Sequence, residues 1–247
     1  YKRFVTEARD TDKLITARTY DNKHLPDGYI ANLEAQYPPN LLEAYLNGKF
    51  TNLTTGTVYS YFNRDIHHSD IEDDGFSELI IGQDWNIGGC ISIVYIKKND
   101  TLIAIDEIVS YDTKSIIDNI SNKYPKRIIS IYPDASGNAR KTSSSQTDIQ
   151  MLRQAGFKVY VNSRNPMVKD RINITNNCFD KNIVKVNTAK CQGFTKALEQ
   201  HSYNDKGEPE KFNGSGTVDD YTDAGTYPLA YLYPIVTRNV SYTKSYS

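Results

Sequence analysis

From Glu78 onward the chain runs through three apolar, β-branched stretches, Leu79–Asp84, Cys90–Lys97 and Thr101–Ile108, separated by little more than Gly88-Gly89 and Asn99-Asp100. Val, Ile and Tyr suit a pleated, half-buried surface, and such short polar or glycine pairs make tight turns, so an antiparallel meander of three strands is predicted. After it the pattern alternates. A helix is predicted over Thr113–Tyr124, a buried strand over Arg127–Tyr132, a helix over Gln146–Ala155 and a strand over Phe157–Val161. Helices near Val168–Phe179 and Ala189–Gln200 flank a strand at Ile183–Asn187, and a polar, glycine-containing loop, Tyr203–Gly216, expected to be mobile, precedes a last helix at Thr217–Tyr233. A meander followed by alternating helices and strands implies an α/β domain with one mixed sheet covered by helices.

The first 77 residues read differently. Two short helical patterns, Pro26–Gln36 and Asn40–Leu46, are interrupted by Pro38-Pro39 and followed by a Tyr-rich strand candidate, Thr57–Phe62. The expected organisation is a leading arm over 1–77, the sheet domain over 78–236 and a tail over 237–247. The start Tyr1-Lys2-Arg3-Phe4, with neither Met nor an apolar targeting segment, is expected of a piece of a longer polypeptide.

Several chemistries are disfavoured. No run of about 18 apolar residues offers a membrane span. Cys90, Cys178 and Cys191 form no CxxC pair and are odd in number, which argues against a disulfide framework and a cysteine-rich zinc site and for a reducing, cytoplasmic setting. The four histidines, His24, His67, His68 and His201, lack metal-site spacing. The net charge is only −1, yet it is unevenly spread. Residues 65–118 hold twelve acidic and three basic side chains, whereas 123–171 hold ten basic and three acidic. A negative centre beside a positive flank fits metal-assisted work on phosphates, although ordinary solvated surface can segregate in the same way.

Two of the predicted buried strands end in aspartate, Asp84 within Ile81-Gly82-Gln83-Asp84-Trp85-Asn86 and Asp134 within Tyr132-Pro133-Asp134-Ala135-Ser136-Gly137. An ionised carboxylate at the end of an apolar run needs compensation, and adjacent strands in an open α/β sheet bring such ends close enough to share a cation. Magnesium or manganese suits oxygen ligands of this kind, and a pair of ions about 3.5–4 Å apart can serve both oxygens of a phosphodiester displacement. A third acidic group opens the last helix in Asp219-Asp220-Tyr221-Thr222-Asp223. Asp220 and Asp223 share a helical face, with Asp219 turned by about 100°. Each of these also has a purely structural reading, as a turn residue at a strand end or as acids at a helix N-terminus.

Together these blocks resemble the C-terminal nuclease domain of phage terminase large subunits over most of residues 15–235. The resemblance is carried by Gly82-Gln83-Asp84-Trp85-Asn86-Ile87-Gly88, by Tyr132–Gly137, and by Asp219–Ala224 followed by Tyr227 and Ala230-Tyr231. It implies a ribonuclease-H-like (integrase-like) fold and an endonuclease that cuts duplex concatemeric DNA with two Mg²⁺ or Mn²⁺ ions held by Asp84, Asp134 and Asp223. Asp220 stands where some relatives have His, and is either a further ligand or a residue supporting the ligands. The lead, with Tyr20–Pro26 and Leu41–Phe50, resembles the stretch joining motor to nuclease, and no GxxxxGK[ST] occurs. Implied partners are double-stranded DNA, the small terminase subunit and the portal protein in the host cytoplasm, with no membrane. Arg140, Lys141, Arg164, Lys169 and Arg171 are the expected phosphate contacts. Alternatives are a Holliday-junction resolvase or transposase of the same fold, or a catalytically silent module docking on portal or small subunit.

Overall fold

Three strands of the expected meander form the middle of the sheet: β1 (Leu79–Asn86), β2 (Gly89–Lys98) and β3 (Thr101–Ser110). The turn between β2 and β3 places Asn99 and Asp100 at positive φ, 46° and 65°, a conformation that Asn and Asp tolerate better than most residues. The computed structural model describes residues 9, 12, 17–26, 28–30, 46, 56–86, 89–139, 146–204, 206–212 and 214–234. The chain divides into two units, Tyr1–Thr55 and Gly56–Ser247. In the first, Arg18 pairs with Asp21 beside a short 3-10 turn at Thr19–Asp21. The expected helices at 26–36 and 40–46 lie almost wholly outside the described residues, as does the 237–247 tail.

In the second unit a one-turn helix, α1 (Arg64–His67), precedes the sheet. After the meander come α2 (Thr113–Lys123), β4 (Ile129–Pro133), α3 (Asp148–Gln154), β5 (Lys158–Val159), α4 (Val168–Asp180), β6 (Val184–Val186), α5 (Gln192–Gln200) and α6 (Val218–Leu232). The six-stranded sheet has the order β5-β4-β1-β2-β3-β6, with β1, β2 and β3 antiparallel and the outer strands added in parallel. This is the mixed α/β, ribonuclease-H-like architecture expected above. Helix starts follow the capping rules: Asp112 accepts from Ser115 N, and Thr147 from Gln150 N, so amides with no intrahelical partner are satisfied.

The strand period of two divides the core in two. Leu79, Ile81, Val94, Ile96, Ile103, Ile105, Ile129 and Ile131 pack with Ile116, Ile120 and Leu152 on the α2–α3 side. Ile91, Ile93, Tyr95, Leu102 and Ala104 pack with Phe179, Phe194, Leu198 and Leu229 on the side covered by α4, α5 and α6. Each such aliphatic side chain, removed from water, contributes about 1.5–3 kcal/mol. Gly82, Asp84, Tyr132 and Asp134 share the alternation of Ile80 and Ser130, which sends them to the α6 side.

One expectation is corrected by the fold. Thr57–Phe62 is no strand: Thr57 makes one isolated bridge to Ser202, and the chain then turns, burying Val58 and Tyr59 in the α4–α6 core. Residues 56–77 therefore fold with the second unit. Within the segment read as a loop, Asn204 N donates to Glu208 O and Glu210 N to Ser202 O.

Candidate active site

Asp84 and Asp134 emerge at the same level. The parallel register pairs Gly82 with Tyr132 and Gln83 with Pro133, and Asp134 N donates to Gln83 O (2.8 Å), so the next residues of both strands are the two aspartates. Neighbouring strands lie about 4.8 Å apart. On the facing layer, α6 approaches β1 closely because Gly82 has no side chain: a Cβ there would sit 1.9 Å from Ala224 O and 2.6 Å from Pro228 Cδ. This approach brings the acidic first turns of α6 against the strand ends.

Asp84 is only 6% exposed. Burial, reinforced by the carboxylates of Asp223, Asp134 and Asp220, pushes its pKa up to about 9. Asp134 goes the other way. Burial works against its ionisation, but hydrogen bonds from Asn165, Ser136 and Tyr227 outweigh it and hold its pKa below the ordinary carboxylate value. The Asp134 Oδ1 accepts from Ser136 N (2.6 Å) and Asn165 Nδ2 (2.8 Å), and Oδ2 accepts from the Tyr227 hydroxyl (2.7 Å). Trp85 Nε1 donates to the Asp134 carbonyl (3.1 Å).

On α6 the acids are partly occupied. Asp220 accepts from Thr217 N and from Asn86 Nδ2, both 3.0 Å, acting as the reciprocal half of a capping box. Asp219 accepts from the Thr217 hydroxyl (2.7 Å). Asp223 is bracketed by cations, Arg171 Nη2 on Oδ1 (2.9 Å) and Lys211 Nζ on Oδ2 (3.1 Å), and Lys211 also lies 3.4 Å from Asp219. Among the described residues, no three His, Cys, Asp or Glu side chains are already gathered into a ligand set.

Arg171 was expected to contact phosphates and does not lie where it can. It is 3% exposed, with its guanidinium donating to Asp223 and to the Thr226 hydroxyl (3.0 Å) and lying 4.5 Å above the Tyr227 ring. A buried charge needs a partner, and the face of α4 that carries Arg171 meets α6. Arg164 and Lys169 are exposed, whereas Arg140 and Lys141 lie outside the described residues. Arg171→Lys should lower stability by about 1–3 kcal/mol, read from the urea midpoint, because an ammonium cannot serve Asp223 and Thr226 and also stack on Tyr227. An unchanged midpoint would show that charge alone suffices there.

Sequence reasoning missed three members of this site. Asn165 and Lys211 carry no motif, and Tyr227 was noted only as part of a similar block. The sole available signal was the i,i+4 spacing of Asp223 and Tyr227.

The same strands and helices recur in proteins of known structure. Superposed on the large terminase of a thermophilic bacteriophage, the chain gives a TM-score of 0.57 at 16% identity, covering 87% of this chain and 54% of that one. The P22 large terminase nuclease domain gives 0.55 at 17% identity, covering 72% of this chain and 91% of that domain. The fold is that of large-terminase nuclease domains. This chain spans about half the length of the thermophilic phage's terminase. Residues 1–66 match the family "Terminase large subunit, T4likevirus-type, N-terminal". No curated protein matches the sequence. No helix among the described residues is long and apolar enough to cross a membrane.

Proposed function

We propose that the chain is the nuclease part of a phage DNA-packaging terminase and that it hydrolyses phosphodiesters of duplex DNA with divalent metal ions, Mg²⁺ or Mn²⁺. The carrying observation is the convergence on one sheet face of Asp84 and Asp134, from adjacent parallel strands, with Asp220 and Asp223 of α6. The terminase-like fold and the match of residues 1–66 to a terminase family support the same reading. The site fits a hard cation: its donors are carboxylate oxygens, and Asp84 is desolvated and crowded by three like charges, which is the situation a divalent ion reverses.

Asp84, Asp134 and Asp223 would hold the ions, two in our reading, with Asp220 further engaged in capping α6. Bound ions supply a water nucleophile near neutral pH and charge stabilisation for the displaced oxygen. The chain itself contributes orientation. β1 and β4 fix two carboxylates at one level, and Asn165 and Tyr227 keep Asp134 ionised. Release of Lys211 frees one oxygen of Asp223. Arg164 and Lys169, and Arg140 and Lys141 outside the described residues, would contact phosphates. Portal and small terminase subunit are the partners this role entails, in the host cytoplasm.

One observation favours a catalytically silent docking module, namely that both Asp223 oxygens are already paired with protein cations. A single experiment separates the readings. Supercoiled plasmid incubated with the chain should be nicked in Mn²⁺ and left intact in EDTA; intact plasmid in both, with no Mn²⁺ bound, would leave the docking role.

A further inference from the structure

Asp134 differs from the other acids of the site in how completely its side chain is fixed. Oδ1 accepts from Ser136 N and Asn165 Nδ2 and Oδ2 from the Tyr227 hydroxyl, and the Ser136 side chain is a further donor to the same carboxylate. Asn165 is itself tied at both ends of its amide, since its Oδ1 accepts from Ala135 N (2.7 Å) while its Nδ2 donates to Asp134 and, at 3.5 Å, to the Tyr227 hydroxyl. It does so from an exposed loop position, where holding a side chain in one rotamer costs entropy and adds little packing. Tyr227, by contrast, is 1% exposed and lies beneath the guanidinium that binds Asp223. Tyr227 is four residues after Asp223 on α6, so one helical face carries an acid of the site and the hydroxyl that orients another.

We infer that Tyr227 and Asn165 are positioning residues for Asp134, clamping one oxygen each so that the carboxylate is held in a single orientation for a cation. The inference rests on the metal-dependent nuclease reading and deepens it. Neither residue touches substrate or ion; both act through Asp134. A carboxylate that is already oriented loses no rotamer freedom when it takes a ligand, and outer groups of this kind typically change metal affinity 10–100-fold.

The test is calorimetric titration of Mn²⁺ into the metal-free chain without DNA, for wild type, Tyr227→Phe and Asn165→Ala, beside urea unfolding in EDTA. Tyr227→Phe keeps the ring and removes one hydroxyl. Mn²⁺ binding should weaken about tenfold or more in each variant. The Mn²⁺ concentration for half-maximal nicking should rise in step, with the rate at saturating Mn²⁺ largely recovered. If Tyr227→Phe fails to fold, Asn165→Ala decides alone. Wild-type Mn²⁺ affinity in the folded variants would overturn the clamp and leave the nuclease reading standing. Absence of Mn²⁺ binding by the wild type would overturn both.

Discussion

Asp84→Asn should abolish nicking and at the same time make the metal-free protein more stable near neutral pH. The two effects have one origin. Asp84 is buried among acids, with its pKa raised to about 9, so between the ordinary carboxylate value and that pH the folded state holds a proton that the unfolded chain releases. Stability from this group is therefore fully present in acid and falls as pH rises, by about 1.4 kcal/mol per unit, or on the order of 4 kcal/mol from pH ~4 to 7. Asparagine has no proton to surrender and removes that slope. Without the charge, however, a divalent ion loses a ligand, and forfeiting several kcal/mol of transition-state stabilisation slows cleavage by about 10³-fold or more. Urea midpoints in EDTA at pH 5 and 8 should converge for the two proteins in acid and separate in base. In saturating Mn²⁺ the gap near neutral pH should narrow, since a ligand at 100 times its Kd adds about 2.7 kcal/mol to the wild type. Equal pH dependence in EDTA would mean that Asp84 is not desolvated as described.

Gly82→Ala should be the most disruptive added methyl among the described glycines. The new carbon would meet backbone, Ala224 O at 1.9 Å, and the rigid Pro228 ring at 2.6 Å, and neither can rotate aside. Pro228 has no amide to offer Ala224, the residue one turn back, so the helix is locally short of a hydrogen bond where it presses on β1. Overpacking a core usually costs about 1–3 kcal/mol, and here we expect the upper end or beyond, because an entire helix must withdraw. Withdrawal also separates Asp220 and Asp223 from Asp84. Nicking should thus fall further than the loss of folded protein accounts for. A midpoint within about 1 kcal/mol of wild type would show that α6 slides freely.

How far the site was legible can be traced residue by residue. Asp84 and Asp134 stood out because an apolar alternation runs directly into each, and the parity that buries Ile81 and Ile131 on one face puts both acids on the other. Asp220 and Asp223 followed from helical spacing. Arg171 was misjudged because charge near a basic stretch suggests surface, and only the packing of α4 on α6 turns that position inward. Lys211 lies in a polar segment with no periodic signal, and its pairing with Asp223 depends on the turn closed by Ser202 and Glu210. Thr57–Phe62 has strand-like composition, yet Val58 and Tyr59 are satisfied by burial under α4 without a strand partner. β5 is only two residues long, an edge with one neighbour, and just beyond it Tyr160 N still donates to Ile131 O while its ring stacks on Tyr132 (5.1 Å between ring centres).

The close seating of α6 on β1 also sets a timetable. Asp84 and Asp223 are about 140 residues apart, and at about 5–20 residues per second a ribosome needs roughly 7–28 s to make that interval. Before α6 is made, Asp84 and Asp134 would lack the facing acids Asp220 and Asp223. On the nuclease reading proposed above, competence would therefore arrive only with the helix that completes the core.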